Sequence, residues 1–284
     1  MLNNIKKPIS TTLHTVNVHM PKNREIIFNN IIKRSNLIFV FSIEAKNFIV
    51  NSFNIEKSKI TVIPHGTPDG ISKVPKNNGT NERNSECVNF VSSGLMRETK
   101  GYDIAIKALS ILKNEINKIH YYIIGANHPQ NETAIKYRNE LSKLINDLNL
   151  KDNITFISEY LPQKELNNLI QNADISLIPY PVKEQSSSGV LALMIACGRP
   201  IVTTPFQFAK SIITEKSGMI AKSCLPEDFA DGIRSLLEKK DSWGEIINHN
   251  YKLGELWCWS NIAKYYLNQY SKLKGSGEKF SPAR

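Results

Sequence analysis

Pro179-Tyr180-Pro181-Val182-Lys183-Glu184-Gln185-Ser186-Ser187-Ser188-Gly189-Val190-Leu191 leaves one apolar run and opens another. Ile175 to Pro179, before it, reads as a buried strand. Gly189 to Cys197 reads as a helix stopped by Gly198 and Pro200. Three serines and a glycine at a helix start supply N-cap oxygens and free N–H groups. A second stretch has the same strand–loop–helix grammar. Gly94-Leu95-Met96-Arg97-Glu98-Thr99-Lys100-Gly101 follows the apolar run Val88 to Ser92 and precedes a helical pattern over Tyr102 to Asn114. There Ile104, Ala108, Ile111 and Leu112 share one face.

Outward from these two stretches, apolar runs of strand length keep alternating with helical patterns. Strands are predicted at Ile9 to Val16, Leu37 to Phe41, Ile60 to Pro64, Tyr121 to Ile124, Ile154 to Ile157 and Ile201 to Thr204. Helices are predicted at Asn23 to Lys33, Ile43 to Phe53, Ala134 to Leu148, Gln163 to Asn172, Pro226 to Glu238, Trp243 to Leu256 and Asn261 to Lys272. Such alternation with short connections implies parallel sheets covered by helices on both faces. Thr67 to Glu86 is polar, with Pro68, Gly70, Pro75 and Gly79, and reads as a linker. The units expected are a partial N-terminal Rossmann-like domain (1–66), an interdomain linker (67–86), a complete doubly wound parallel-sheet domain (87–256), a C-terminal helix (257–273) and a flexible tail (274–284).

The 284 residues carry 36 Lys and Arg against 26 Asp and Glu, a net charge of +10, with 41 % hydrophobic residues. That balance excludes collagen-like, low-complexity and wholly disordered classes. The positive excess is spread along the chain and reads as a solvated basic surface, so nucleic acid is not an expected partner. No apolar run reaches about 18 residues, and Met1 to Lys7 lacks an apolar core, so neither a membrane-spanning helix nor a secretory leader is expected. Cys87, Cys197, Cys224 and Cys258 lie far apart in the sequence. They form no C-x-x-C pair, which indicates neither zinc nor a disulfide framework and points to the cytoplasm. Walker, G-x-G-x-x-G, H-E-x-x-H, D-x-D and G-x-S-x-G motifs are absent.

In open α/β sheets ligands bind beyond the carboxyl ends of the strands. Arg97 and Lys100, three apart in such a loop, suit a phosphate or diphosphate, the Arg by bidentate contact and the Lys as a point charge. Gly94 lets backbone approach the ligand. Ser187, Ser188 and Gly189 open a helix whose N-terminus suits an anion.

These passages, taken in order, resemble glycosyltransferase family 4, retaining sugar transferases of the GT-B fold. Gly94 to Ala105 is similar to that family's G-x-x-R-x-x-K-G-x-D entrance. Ile123-Ile124-Gly125, Asn153 to Ile157, Asn172 to Pro179 and Ala196 to Val202 are similar to its later strand ends and to A-x-G-x-P-V-V. In the first part, Thr12-Leu13-His14 resembles T-x-H, and Ile60 to Gly66 resembles the passage before the interdomain linker, with His65 where Asn is usual.

The resemblance implies a GT-B-like fold and metal-independent transfer of a sugar, with retention, from a nucleotide-sugar donor to a sugar, lipid or small-molecule acceptor, without a cofactor. Arg97 and Lys100 would neutralise the leaving diphosphate, with Gly94 and the N–H groups near Ser187, Ser188 and Gly189 assisting. Gln185 or Glu184 would hold sugar hydroxyls, and His14 would reach the donor sugar across the cleft. Two departures stand out. The family's two glutamates, with seven residues between them, fall on Gln185 and Leu193. The strand–helix units that precede T-x-H in the family have no counterpart in the eight residues before Ile9. The three-stranded remnant is therefore expected to show an open sheet edge and a bare core face, and a complementary chain is an expected partner. Peripheral membrane contact fits as well. A non-catalytic subunit of the same fold is the alternative.

Overall fold

The computed structural model describes residues 5–17, 19–71, 87–125 and 132–273. The predicted tail and most of the predicted linker lie outside the described residues. Among the described residues two sheets form, and every strand pairing in them is parallel. The first runs β1 (Ser10–Thr12), β2 (Leu37–Val40), β3 (Ile60–Val62), joined by helices α1 (Lys22–Arg34) and α2 (Ile43–Phe53). Ser42 caps α2 by accepting from Ala45 N, and Asn54 ends it in the left-handed conformation. β2 is buried on both faces, which its uninterrupted Leu-Ile-Phe-Val requires. Ile38 and Val40 join α1 and α2 in one core, while Leu37, Phe39 and Phe41 face the other way.

The second sheet has the order β6-β5-β4-β7-β8-β9. Its strands are β4 (Cys87–Ser93), β5 (Lys118–Ile124), β6 (Ile154–Ile157), β7 (Ile175–Ile178), β8 (Ile201–Thr203) and β9 (Gly218–Ile220). Its helices are α3 (Tyr102–Leu112), α4 (Glu132–Asp147), α5 (Gln163–Asn172), α6 (Gly189–Ala196), α7 (Gln207–Ile212), α8 (Pro226–Glu238) and α9 (Trp243–Leu256). The chain starts at the centre, moves outward through β5 and β6, then returns to lay β7 against the other side of β4. This reversal puts a crevice between the carboxyl ends of β4 and β7.

Three expectations change. β1 ends at Thr12 rather than Val16. Leu13 N still donates to Phe39 O at 2.9 Å, but Val16 N donates to Ser186 Oγ at 2.8 Å, so the segment leaves its sheet for the other half of the molecule. Between Thr204 and Pro226 stand two elements that the pattern does not announce, α7 and β9, both too short to show a period. The bare core face is covered. Helix α10 (Trp259–Leu273) lies over the first sheet. Its Tyr266 and Tyr270 rings stand 4.2 and 5.9 Å from Phe39, and Tyr266 Oη is 3.1 Å from Thr12 Oγ1. Leu37, Phe39, Phe41 and Ile63 thus share a core with Val91, Ile178, Leu191 and Met194 of the second half. The passages between halves are tied together: Thr67 N donates to Trp257 O and Trp259 N to Thr67 O, both at 2.9 Å. Among the described residues no helix is long and apolar enough to cross a membrane.

Candidate functional site

The loops after β4 and β7 form the crevice. β4 and β7 are paired at Phe90–Ile175 and Val91–Ser176, so the two loops leave side by side. They also touch. Gly101 has φ +64°, and a Cβ there would lie 1.9 Å from Pro179 O, so only glycine permits the approach. Gly94, at φ +139°, sits beside the Lys100 stem, and the buried Tyr102 hydroxyl donates to Gly94 O at 3.0 Å. Burial pushes the Tyr102 phenol well above its ordinary range, which keeps it a donor. Lys100 is half-buried; its Nζ donates to Tyr180 Oη at 2.8 Å and stands 4.2 Å from that ring's centroid. Arg97 is exposed, and its guanidinium has no ion pair or hydrogen bond among the described residues.

Ser188 caps α6, its Oγ accepting from Leu191 N at 3.1 Å. The preceding segment is held by α7: Gln207 N donates to Lys183 O and Phe208 N to Gln185 O, at 2.8 and 3.0 Å. Gln185 Nε2 donates to Ser187 O at 3.0 Å, and Glu184 is exposed. The first half reaches across to this segment twice. Ser187 Oγ donates to the His14 carbonyl, and the buried Ser186 Oγ accepts from Val16 N. A cavity of about 480 Å³ results, with His14, Thr99, Glu184, Gln185 and Ser187 on its walls. The structure therefore brings His14, Glu184, Gln185 and Ser187 to one cavity. Gly94 and Lys100 are on the adjoining loop, and Arg97 projects into solvent. Leu193, one turn along α6, packs half-buried against the second core.

Sequence reasoning missed two participants. Ser186, 3 % exposed, binds the two halves together; its place among three serines hid it. His65 lies against Gly189, and its signal was the departure from the usual Asn. Among the described residues no three His, Cys, Asp or Glu side chains gather as metal ligands.

The chain belongs to the family described as glycosyl transferases group 1, whose pattern matches residues 75–253. It is 22 % identical over 228 residues to mannosylfructose-phosphate synthase of Agrobacterium fabrum, covering 77 % of this chain and 49 % of that protein. It is 21 % identical over 264 residues to D-inositol 3-phosphate glycosyltransferase of Corynebacterium urealyticum, covering 89 % and 60 %. The chain thus spans roughly half the length of these relatives. Among solved structures, a glycosyltransferase from Rickettsia africae superimposes with TM-score 0.77 at 19 % identity, covering 94 % of this chain and 71 % of that one. Anabaena HepE in complex with UDP gives 0.78 at 15 %, covering 94 % and 73 %. These likenesses establish a GT-B-like α/β fold.

Proposed function

We propose that this chain is a family-4 glycosyltransferase unit that transfers a hexosyl group, with retention, from a nucleotide sugar to a sugar, lipid or small-molecule acceptor. The observation that carries the reading is the crevice itself. Two touching loops, one bearing Arg97 and Lys100 and the other opening α6, meet a cavity completed by His14 of the opposite half. The complexes of Anabaena HepE with UDP and with UDP-glucose support the donor class.

Residues 87–256 hold the donor and residues 1–66 serve the acceptor side. Bond cleavage places negative charge on the departing diphosphate. Arg97 and Lys100 neutralise it, and the N–H groups at Ser188 and Gly189 add fixed dipoles. Gln185 and Glu184 hold sugar hydroxyls, and His14 orients the donor sugar. With this charge supplied by side chains, the mechanism uses no metal and no cofactor. A complementary chain is proposed as a partner, and the unit works in the cytoplasm, with peripheral membrane contact where the acceptor is a lipid. A non-catalytic role is favoured by one observation: the half-buried Leu193 packs against the second core at the place where the resemblance implies a ribose-binding carboxylate.

The test combines calorimetry with UDP, GDP and ADP and a turnover assay with the matching sugar donors. One nucleotide is expected to bind, with Arg97→Ala and Lys100→Ala each weakening it by about 1.5–3 kcal/mol, the scale of hydrogen bonds to charged groups. Unchanged affinity in both variants removes the site assignment. Binding without turnover establishes the non-catalytic reading.

A further inference from the structure

His65, on the loop after β3, is unused by the donor site as described. Its ring is enclosed by Phe41, His14 and Trp259, at centroid distances of 5.0, 6.0 and 6.0 Å. A further side rests on the start of α6: a Cβ at Gly189 would lie 3.0 Å from His65 Cε1 and 3.3 Å from Nε2. Nδ1 stands 2.9 Å from Gly66 O. A carbonyl only accepts, so Nδ1 carries the proton, and in the neutral ring Nε2 holds a lone pair. Among the described residues Nε2 has no hydrogen-bond partner. That lone pair sits beside a helix start whose first N–H groups lack intrahelical partners; the Leu191 N–H goes to Ser188 Oγ.

The two features conflict for an anion. The helix start attracts a phosphate oxygen, and the lone pair repels it. A proton on Nε2 removes the conflict by turning an acceptor into a charged donor. Resting on the donor-site reading above, we propose that His65 takes up a proton when a nucleoside diphosphate seats on the first turn of α6, and that the resulting imidazolium clamps the diphosphate. In the free protein, burial holds the imidazole below its ordinary range, reinforced by His14 and opposed by the Gly66 hydrogen bond. Of the groups enclosing the ring, His14 is the titratable one; Phe41, Trp259 and Gly189 carry no charge. An anion at about 4–6 Å raises such a pKa by roughly 1–3 units, so nucleotide binding is accompanied by net proton uptake.

Calorimetric titration of the full chain with UDP, GDP and ADP, in two buffers of different protonation enthalpy, counts those protons. Uptake is expected in the unmodified chain and in His14→Gln, and is expected to vanish in His65→Asn while weaker binding persists. On the unmodified chain alone, the His65 Cε1–H resonance is expected to titrate about one unit or more higher when nucleotide is saturating. Nucleotide binding without proton uptake, uptake that persists in His65→Asn, or an unmoved His65 midpoint overturns the proposal and leaves the donor site standing. If none of the three nucleotides binds, the donor-site reading fails and this inference falls with it.

Discussion

Replacing Tyr266 by alanine isolates the contact by which α10 holds the first sheet. The half-buried ring lies 4.2 Å from the ring of the fully buried Phe39, tilted by 51°, and its hydroxyl is 3.1 Å from Thr12 Oγ1. Losing the ring removes roughly 1.5 kcal/mol of partial apolar burial. The aromatic pairing adds about 0.5–1.5 kcal/mol and the hydrogen bond a similar amount. A loss near 3 kcal/mol is therefore expected for Tyr266→Ala, and about 1 kcal/mol for Tyr266→Phe, which deletes the hydroxyl alone. The loss is expected to be local. The core formed by β5, α3, α4 and α8 contains no residue of α10. Hydrogen exchange should show protection falling across residues 5–67 and holding in α3 and α8. Equal loss in both regions, or undiminished protection of β2, would refute the argument that α10 is what completes the first sheet.

Gly101→Ala forces a side chain onto a φ of +64° and into Pro179 O. It should lower the thermal midpoint by the equivalent of at least about 1–2 kcal/mol and weaken nucleotide binding; an unchanged midpoint and affinity would contradict the loop contact. Leu193→Glu places a carboxylate where a side chain packs against the second core. The midpoint should fall without any gain in nucleotide affinity, and a gain at constant midpoint would restore a ribose-binding role to this position. The nucleotide-free protein should also lose stability on acidification. Because burial depresses the His65 pKa below its unfolded value near 6.5, the unfolded chain binds more protons once the pH drops through about 6.5. Denaturant melts at a neutral and a mildly acidic pH should show a smaller loss in His65→Asn; an identical loss would assign the effect elsewhere.

The strand–loop–helix passages around Arg97 and Ser188 were legible because their physics is local. A buried apolar run, a polar loop and a capped helix each announce themselves within a dozen residues. The chain order of strands and helices follows from the same alternation, but the return that lays β7 against β4, and with it the crevice, is set by pairing across distant segments. What stayed hidden depends on distance along the chain. Residues 257–273 read as a helix, but nothing in their pattern says that Tyr266 meets Phe39. Leu13 and Val16 look like the continuation of a strand, yet Val16 is drawn off by a serine 170 positions later. α7 and β9, of six and three residues, are shorter than the periods that would reveal them. Gln185 and Leu193 were visible as departures, while the packing of Leu193 became readable only from its surroundings.

The return of α10 onto the first sheet has a consequence for synthesis on the ribosome. Phe39 is made well ahead of the ring that covers it, which follows 227 positions later. At translation rates of roughly 5–20 residues per second, that face waits on the order of 10–45 s for its cover. The usual vectorial order, in which the N-terminal unit folds first, is inverted. The second sheet can close its core of α3, α4 and α8 while the first is still incomplete, and Leu37, Phe39 and Phe41 stay open to chaperones and to mispairing until α10 clears the exit tunnel.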